Sequence, residues 1–332
     1  MRVLAPSAEN LASSAAALGR GELVAFPTET VYGLGAAAFD AAALARVFAV
    51  KERPTFDPLI VHLPAAGLAT PGVIGPLAPA QARVAAALAR RFWPGPLTLV
   101  LPRGERIPDL ATSGLPTVAV RRPRHPVAQA LLEAAGPLAA PSANRFGRIS
   151  PTRAADVVAE LGDQVELLLD GGPCEVGVES TIVAVAADGA LTLFRPGGVP
   201  VADLGTHVGM PAHAAVAAPG MMPSHYAPAK PLTLLAHPVA ELDAAPVRAG
   251  ARVGLLAFSA DAATRLAALT AAPVTAETLD GNDLAAAARG LFAALRRLDA
   301  SDATILLAEP CPTREGLGHA IADRLARAAH RG

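Results

Sequence analysis

Between residues 208 and 231 the chain carries Pro211, Pro219, Pro223, Pro228 and Pro231, together with Gly209 and Gly220. Proline fixes φ and removes a backbone donor, so neither a helix nor a central strand runs through such a stretch. The stretch is therefore an extended spacer. It divides the 332 residues into one domain over 1–207 and a second over 232–332. Two packed cores are affordable, because 52% of the residues are hydrophobic and 17% are charged. The formal net charge of −1 excludes a whole-protein basic field of the kind that grips nucleic acid non-specifically.

Apolar periodicity predicts helices over 8–20, 40–50, 79–92, 126–135 and 152–161 in the first domain, the last capped by Ser150 or Thr152. Asp40 is the N-cap of the second helix. Strands are expected at 21–27, 59–63, 97–101, 117–121, 138–141, 165–169, 180–185 and 191–195. The alternation is irregular, so the fold class is α/β with a twisted, partly antiparallel sheet. The second domain has strands at 232–235, 253–258 and 304–307 and helices at 282–298 and 316–329. That order predicts a smaller parallel α/β domain. It holds no Gly-x-Gly-x-x-Gly fingerprint, which argues against a dinucleotide there.

Cys174 and Cys311 are too few for a disulfide framework and read as reduced thiols. The N-terminus lacks a continuous apolar signal segment, and no apolar run approaches the ~20 residues a bilayer span needs. No membrane association and a cytoplasmic location are expected.

Four stretches place polar residues where a core pattern would not. Pro27 to Gly35 ends a strand and then offers Thr28, Glu29, Thr30, Tyr32 and two glycines. It reads either as a locally capped loop or as a site of close ligand approach. Lys51 and Arg53 close a helix before Pro54, with Asp57 and His62 beyond. The two cations either complement the helix dipole or converge on one polyphosphate from exposed positions outside the core. His62 is a core histidine or a ligand contact. Ser142, Asn144 and Ser150 follow a strand, as N-caps and turn residues or as donors and acceptors for an anion. Ser180 sits near Arg195, which ends an apolar strand before Pro196-Gly197, a poor place for a merely solvated charge. Metal-ligand spacing, a Walker loop and a Gly-x-Ser-x-Gly elbow are all absent.

Taken in order, these stretches resemble the L-threonylcarbamoyladenylate synthase family, with a YrdC-like domain in its long two-domain form. The matching residues include Pro27 to Gly35, Lys51-x-Arg53-Pro54, Phe92 to Thr98, Val118 to Arg121, Pro141 to Asn144, Ser180 to Ile182, Arg195 to Gly197, Pro219-Gly220-Met221, His225 to Pro228, Gly316 to Gly318 and Asp323 to Leu325. The resemblance implies a YrdC-like twisted mixed sheet and a Rossmann-like C-terminal domain. It implies an enzyme, a nucleotidyltransferase, that makes threonylcarbamoyl-AMP and pyrophosphate from ATP, L-threonine and bicarbonate for tRNA modification. Lys51, Arg53, Ser142 and Asn144 would form the catalytic tetrad. Those four would bind ATP together with Asp57, Thr117, Ser150, Arg195 and Tyr226. Thr30, His62, Arg121, Ala140 and Ser180 would bind threonine, with Arg121 on its carboxylate.

The resemblance further implies Mg²⁺ arriving with ATP, with no metal site built from protein side chains. Downstream threonylcarbamoyl transferase proteins are the implied partners, with weak tRNA contact. Met221, Met222 and Tyr226 suit a pocket rim, so the 208–231 spacer is expected to lie as a lid over the nucleotide. Two positions depart from the family pattern. Asp57 replaces an Asn, and a carboxylate beside a triphosphate repels it unless Mg²⁺ or Arg53 intervenes. Met222-Pro223 replaces Lys-Tyr in the spacer. Two rivals are weaker. A non-catalytic RNA-binding module conflicts with the near-zero charge and 4% aromatic content. A carbamoyl-transfer enzyme of hydrogenase maturation would need zinc-finger cysteines that are not here.

Overall fold

A computed structural model describes residues 1–205, 208–209, 222, 224–243, 247 and 250–330. The chain forms two compact units. One comprises Met1–Phe146 and Ser150–Met222; the other comprises Gly147–Ile149 and Pro223–Gly332. The expected spacer over 208–231 lies largely outside the described residues, Pro219, Gly220 and Met221 included.

The strands of the first unit are β1 (Arg2–Leu4), β2 (Val24–Phe26), β3 (Gly33–Ala37), β4 (Ile60–His62), β5 (Leu97–Pro102), β6 (Thr117–Arg121), β7 (Leu138–Ala139), β8 (Leu167–Leu169), β9 (Thr181–Val185), β10 (Leu191–Arg195) and β11 (Val208–Gly209). Its helices are α1 (Ala8–Gly19), α2 (Ala41–Lys51), α3 (Pro79–Phe92), α4 (Asp109–Thr112), α5 (Pro126–Ala135) and α6 (Ala154–Leu161). Among the described residues the strands form one mixed sheet in the order β1-β8-β2-β3-β7-β4-β6-β5-β9-β10-β11. β4 runs parallel to β6, while β5 pairs β6 antiparallel and β9 parallel. The mixed α/β expectation holds.

Local chemistry explains the element ends. Asp40 accepts from Ala42 N and Ala43 N to open α2, and Glu52 closes it in the left-handed region at φ 53°. Two sequence expectations fail. Gly33 to Gly35 belong to strand β3 rather than a loop, paired antiparallel with β2. A Cβ on Gly35 would come within 2.8 Å of the Phe26 ring, so packing against β2 requires this glycine. And α6 starts at Ala154 without a Ser150 or Thr152 cap; Asp156 instead accepts from Thr152 N and Arg153 N, both at 3.0 Å.

Side-chain alternation gives the central strands two distinct faces. Val61, Leu97, Leu99, Leu101, Val118, Val120, Val183 and Leu193 face the main core. Ile60, Val100, Ala119 and Ile182 form a separate apolar patch. His62, Thr98, Thr117 and Arg121 share their strand parity, and hence that second face.

The second unit has a four-stranded sheet, all parallel, in the order β12-β15-β13-β14. Its elements are β12 (Leu232–Leu234), β13 (Val253–Ala257), α7 (Ala262–Thr270), β14 (Val274–Thr278), α8 (Leu284–Ala300), β15 (Ile305–Ala308) and α9 (Gly318–Ala329). The Rossmann-like expectation is met, with α7 and β14 as unanticipated elements. No helix among the described residues is long and apolar enough to cross a membrane. Cys174 and Cys311 are free thiols.

Candidate active site

The last residue of α2 begins the site. Lys51 is 1% exposed and Arg53 7% exposed, which corrects the expectation that both stand outside the core. Lys51 Nζ donates to Ser142 O at 2.5 Å and to Asn144 O. Ser142 and Asn144 thus reach Lys51 through their carbonyls, while Asn144 Nδ2 donates to Arg145 O at 2.7 Å. Burial, and then the like charge of Arg53, pull the lysine ammonium well below its ordinary value. An arriving anion would relieve both costs.

Arg53 is clamped on its own loop. Nε donates to Asp57 O at 3.0 Å, and Nη2 donates to Pro58 O at 2.8 Å and lies 2.9 Å from Asp57 Oδ2. The repulsion that Asp57 introduces is therefore met by Arg53 within one helical turn of sequence. Asp57 is fully buried, and neither of its carboxylate oxygens receives a hydrogen bond of good geometry among the described residues. Burial pushes its carboxyl up, and the charges of Arg53, Lys51 and Arg195 pull against that.

Arg195 ties this cluster to Ser180. Its Nε and Nη2 donate to Ser180 O at 3.2 and 3.0 Å, and Nη2 also reaches Ser180 Oγ at 3.3 Å. Ser180 Oγ in turn lies 2.8 Å from Thr98 Oγ1. A Cβ at Gly197 would fall 2.3 Å from Glu179 O, so only glycine lets this turn press against the residues that carry Ser180.

A second cluster sits at the ends of β4 and β6, where His62 and Arg121 are register partners. Arg121 Nη1 donates to Thr30 Oγ1 at 2.9 Å, Nε donates to Gly95 O at 3.2 Å, and Nη2 lies 2.8 Å from Glu29 Oε1. Burial, then the Arg121 charge, lowers the His62 imidazole to about 3, so the ring is neutral at ordinary pH. Ala140 spends its N–H on Ile60 O at 3.0 Å, which leaves its carbonyl as the group it offers.

The remaining expected residues lie further off. Thr117 starts β6, four residues before Arg121 and roughly 13 Å away along the strand. There it lines a cavity of about 400 Å³ with Val100, Ala184, Thr192 and Phe194. Ser150 is buried and donates to Glu179 Oε1 at 2.5 Å. Tyr226 belongs to the second unit. Its ring is fully buried, stacked on Phe292 at 5.5 Å with the Arg324 guanidinium 5.0 Å from its centroid.

Sequence reasoning missed Glu29 as a site residue. The residue was visible in its motif, but its partner is 92 positions on, beyond any local spacing rule. No group of three or more His, Cys, Asp or Glu side chains able to hold a metal occurs among the described residues.

Comparisons with known proteins follow the same division of the chain. Residues 16–197 match a family model described as telomere recombination, and residues 191–330 match one described as threonylcarbamoyl-AMP synthase, C-terminal domain. A Pyrococcus abyssi protein named threonylcarbamoyl-AMP synthase is 39% identical over 326 residues, spanning 93% of this chain and 91% of its own. A Bacillus subtilis protein of the same name is 38% identical over 337 residues, spanning 96% and 92%. The crystal structure of P. abyssi Sua5 complexed with L-threonine matches with a TM-score of 0.82 at 36% identity, covering 96% of this chain and 94% of that one.

Proposed function

Because the chain belongs to the threonylcarbamoyl-AMP synthase family, we propose that it condenses L-threonine, bicarbonate and ATP into threonylcarbamoyl-AMP and pyrophosphate. The threonine amine adds to bicarbonate with loss of water and gives a carbamate. A carbamate oxygen then attacks the α-phosphorus of ATP; the new O–P bond forms as the bond to pyrophosphate breaks. No covalent enzyme intermediate is needed, so catalysis rests on positioning and on neutralising phosphate charge.

The observation that carries this reading is Arg195, whose guanidinium holds Ser180 while its charge acts on Asp57. It joins a phosphate-type cluster of Lys51, Arg53, Ser142 and Asn144 to an amino-acid-type cluster of Thr30, His62, Arg121 and Ser180. Lys51 and Arg53 would take the triphosphate, and Arg121 the threonine carboxylate. Ser150 would lie on the ATP side. The apolar cavity beside Thr117 has the surface a nucleobase prefers.

Mg²⁺ would accompany ATP. Among the residues of the site, Asp57 fits it: a buried carboxylate with an oxygen that no backbone donor satisfies, and Mg²⁺ is commonly held by one or two carboxylates plus substrate phosphates. When bound, the ion would share the negative charge of the departing pyrophosphate. A cytoplasmic setting, weak tRNA contact and downstream threonylcarbamoyl transferase proteins complete the proposal, since the product is an activated group bound for tRNA.

The test is pyrophosphate release with ATP, threonine and bicarbonate each omitted in turn. Release that needs all three supports the reading, and release with ATP alone contradicts it.

A further inference from the structure

Arg121 does not stand alone in its pocket. Glu29 is fully buried, and its side chain and that of Arg121 are 1% and 4% exposed. Oε1 faces Arg121 Nη2 at 2.8 Å, and Oε2 accepts from Arg124 N at 3.0 Å. The Glu29 carbonyl accepts from Val176 N at 2.8 Å, which fixes the backbone that carries the side chain. Burial pushes the carboxyl up, but the charge and hydrogen bond of Arg121 outweigh it and the net shift is downward. The pair is ionised and electrically neutral as a unit.

Two hydroxyls lie beside it. Thr28 Oγ1 donates to Val31 O at 2.6 Å and accepts from Thr30 N and Val31 N. The two hydroxyls lie 2.8 Å apart, and either can donate to the other. Thr30 Oγ1 also accepts from Arg121 Nη1. Its hydroxyl is thus held between Thr28 and Arg121. Arg121 donates hydrogen bonds through Nε and Nη1, while Nη2 pairs with Glu29 by charge at 2.8 Å without a hydrogen bond of good geometry. The guanidinium makes no further hydrogen bond among the described residues.

The cluster therefore brings a cation, a hydroxyl and an anion together. That matches a molecule carrying a carboxylate and an ammonium on adjacent atoms. We propose that Glu29 is a specificity-determining residue: by neutralising and orienting Arg121 it makes the site select a zwitterionic amino acid over a carboxylate of the same shape that lacks the ammonium. Without Glu29 a lone buried cation would favour the net-negative ligand. The inference rests on the threonine reading of this cluster.

The experiment measures binding of L-threonine and of (2S,3R)-2,3-dihydroxybutyrate, which carries a hydroxyl in place of the ammonium. Calorimetry on the full chain is done with the wild type and with Glu29→Gln, each checked for folding by circular dichroism. The wild type prefers threonine, and Glu29→Gln lowers the ratio of the two affinities by on the order of tenfold or more. A ratio unchanged in folded Glu29→Gln overturns the role given to Glu29 and leaves the threonine reading standing. A wild type that binds no threonine overturns that reading itself, and this inference with it. Should Glu29→Gln not fold, Glu29→Asp decides. It keeps the charge at shorter reach, so affinity falls while the preference for threonine persists; loss of the preference there overturns the proposal.

Discussion

Glu309 in the second unit and Asp57 in the first are both buried carboxylates, at 2% and 0% exposure, yet they are stabilised in opposite ways. Glu309 Oε1 accepts from Val239 N and Oε2 from Phe258 N, both at 2.7 Å. Two segments of the parallel-sheet unit are stitched by one side chain, each of whose carboxylate oxygens accepts from a backbone N–H. Among the described residues Asp57 receives no such donor; it pairs with Arg53 at 2.9 Å and is acted on by the charges of Lys51 and Arg195. A buried charge satisfied by backbone N–H groups serves the fold. A buried charge balanced only by other side-chain charges leaves a field that a ligand can enter, and such arrangements concentrate at functional sites.

The largest expected effect lies in substrate choice. The hydroxyls of Thr30 and Ser180 bond only other side chains that can turn toward a substrate, unlike the backbone donors around Glu309, so an amino acid lacking a hydroxyl forgoes the bonds that threonine would make there. Valine should then be rejected relative to threonine by about 10⁴-fold in kcat/KM, while serine remains a substrate. Comparable steady-state rates for valine and serine would break the contrast.

Next comes Arg53→Ala, which removes a cation from the phosphate cluster. A loss of about 3–4 kcal/mol of transition-state stabilisation is expected, read as kcat/KM for ATP in the pyrophosphate assay. Lys51→Ala should act alike, and both variants should also lose stability, since Lys51 bonds the Ser142 and Asn144 carbonyls and Arg53 compensates the buried Asp57 carboxylate, so kcat/KM is read on the folded fraction. Near-normal turnover in both would remove the phosphate assignment.

Glu309→Ala probes the other side of the comparison. It strands two buried N–H groups and should cost about 2–3 kcal/mol of stability, measured by urea denaturation, with threonine affinity of the folded fraction unchanged. A selective loss of threonine binding would show that Glu309 is more than a stitch.

His62 gives an effect confined to acid pH, with a defined sign. Its folded value of about 3 lies below the ordinary 6.5, so between those values the unfolded chain binds a proton that the native state refuses. Stability therefore falls as pH drops through that window, by about 1.4 kcal/mol per pH unit at most. His62→Gln should flatten that slope in denaturation curves at pH 4 and pH 6. An unchanged slope would mean that His62 takes up its proton in the native state.

How much of this was legible in the sequence follows from the range of the interactions. Helix α3 at 79–92, helix α5 at 126–135 and strand β6 at 117–121 follow apolar periodicity and were read at their observed bounds. Strand β3 was hidden because Gly33 and Gly35 signal a turn locally, and only the tertiary neighbour Phe26 explains the absence of a side chain at Gly35. Strand β14 was hidden because it lies at the sheet edge with no buried residue, so it carries no apolar run. In the site, Arg53 and Asp57 are one helical turn apart and their pairing was legible. Glu29 with Arg121, and Arg195 with Ser180, are joined by sheet topology and lie outside the reach of any spacing rule.

The most direct test of the account is the product itself. The full chain is incubated with ATP, L-threonine and ¹³C-bicarbonate, and the mixture is resolved by liquid chromatography and mass spectrometry. The account predicts an adenylate containing threonine whose mass rises by one unit relative to unlabelled bicarbonate, formed by the wild type and nearly lost in Arg53→Ala. An adenylate of threonine without the labelled carbon, or labelled product at undiminished yield in Arg53→Ala, would contradict it.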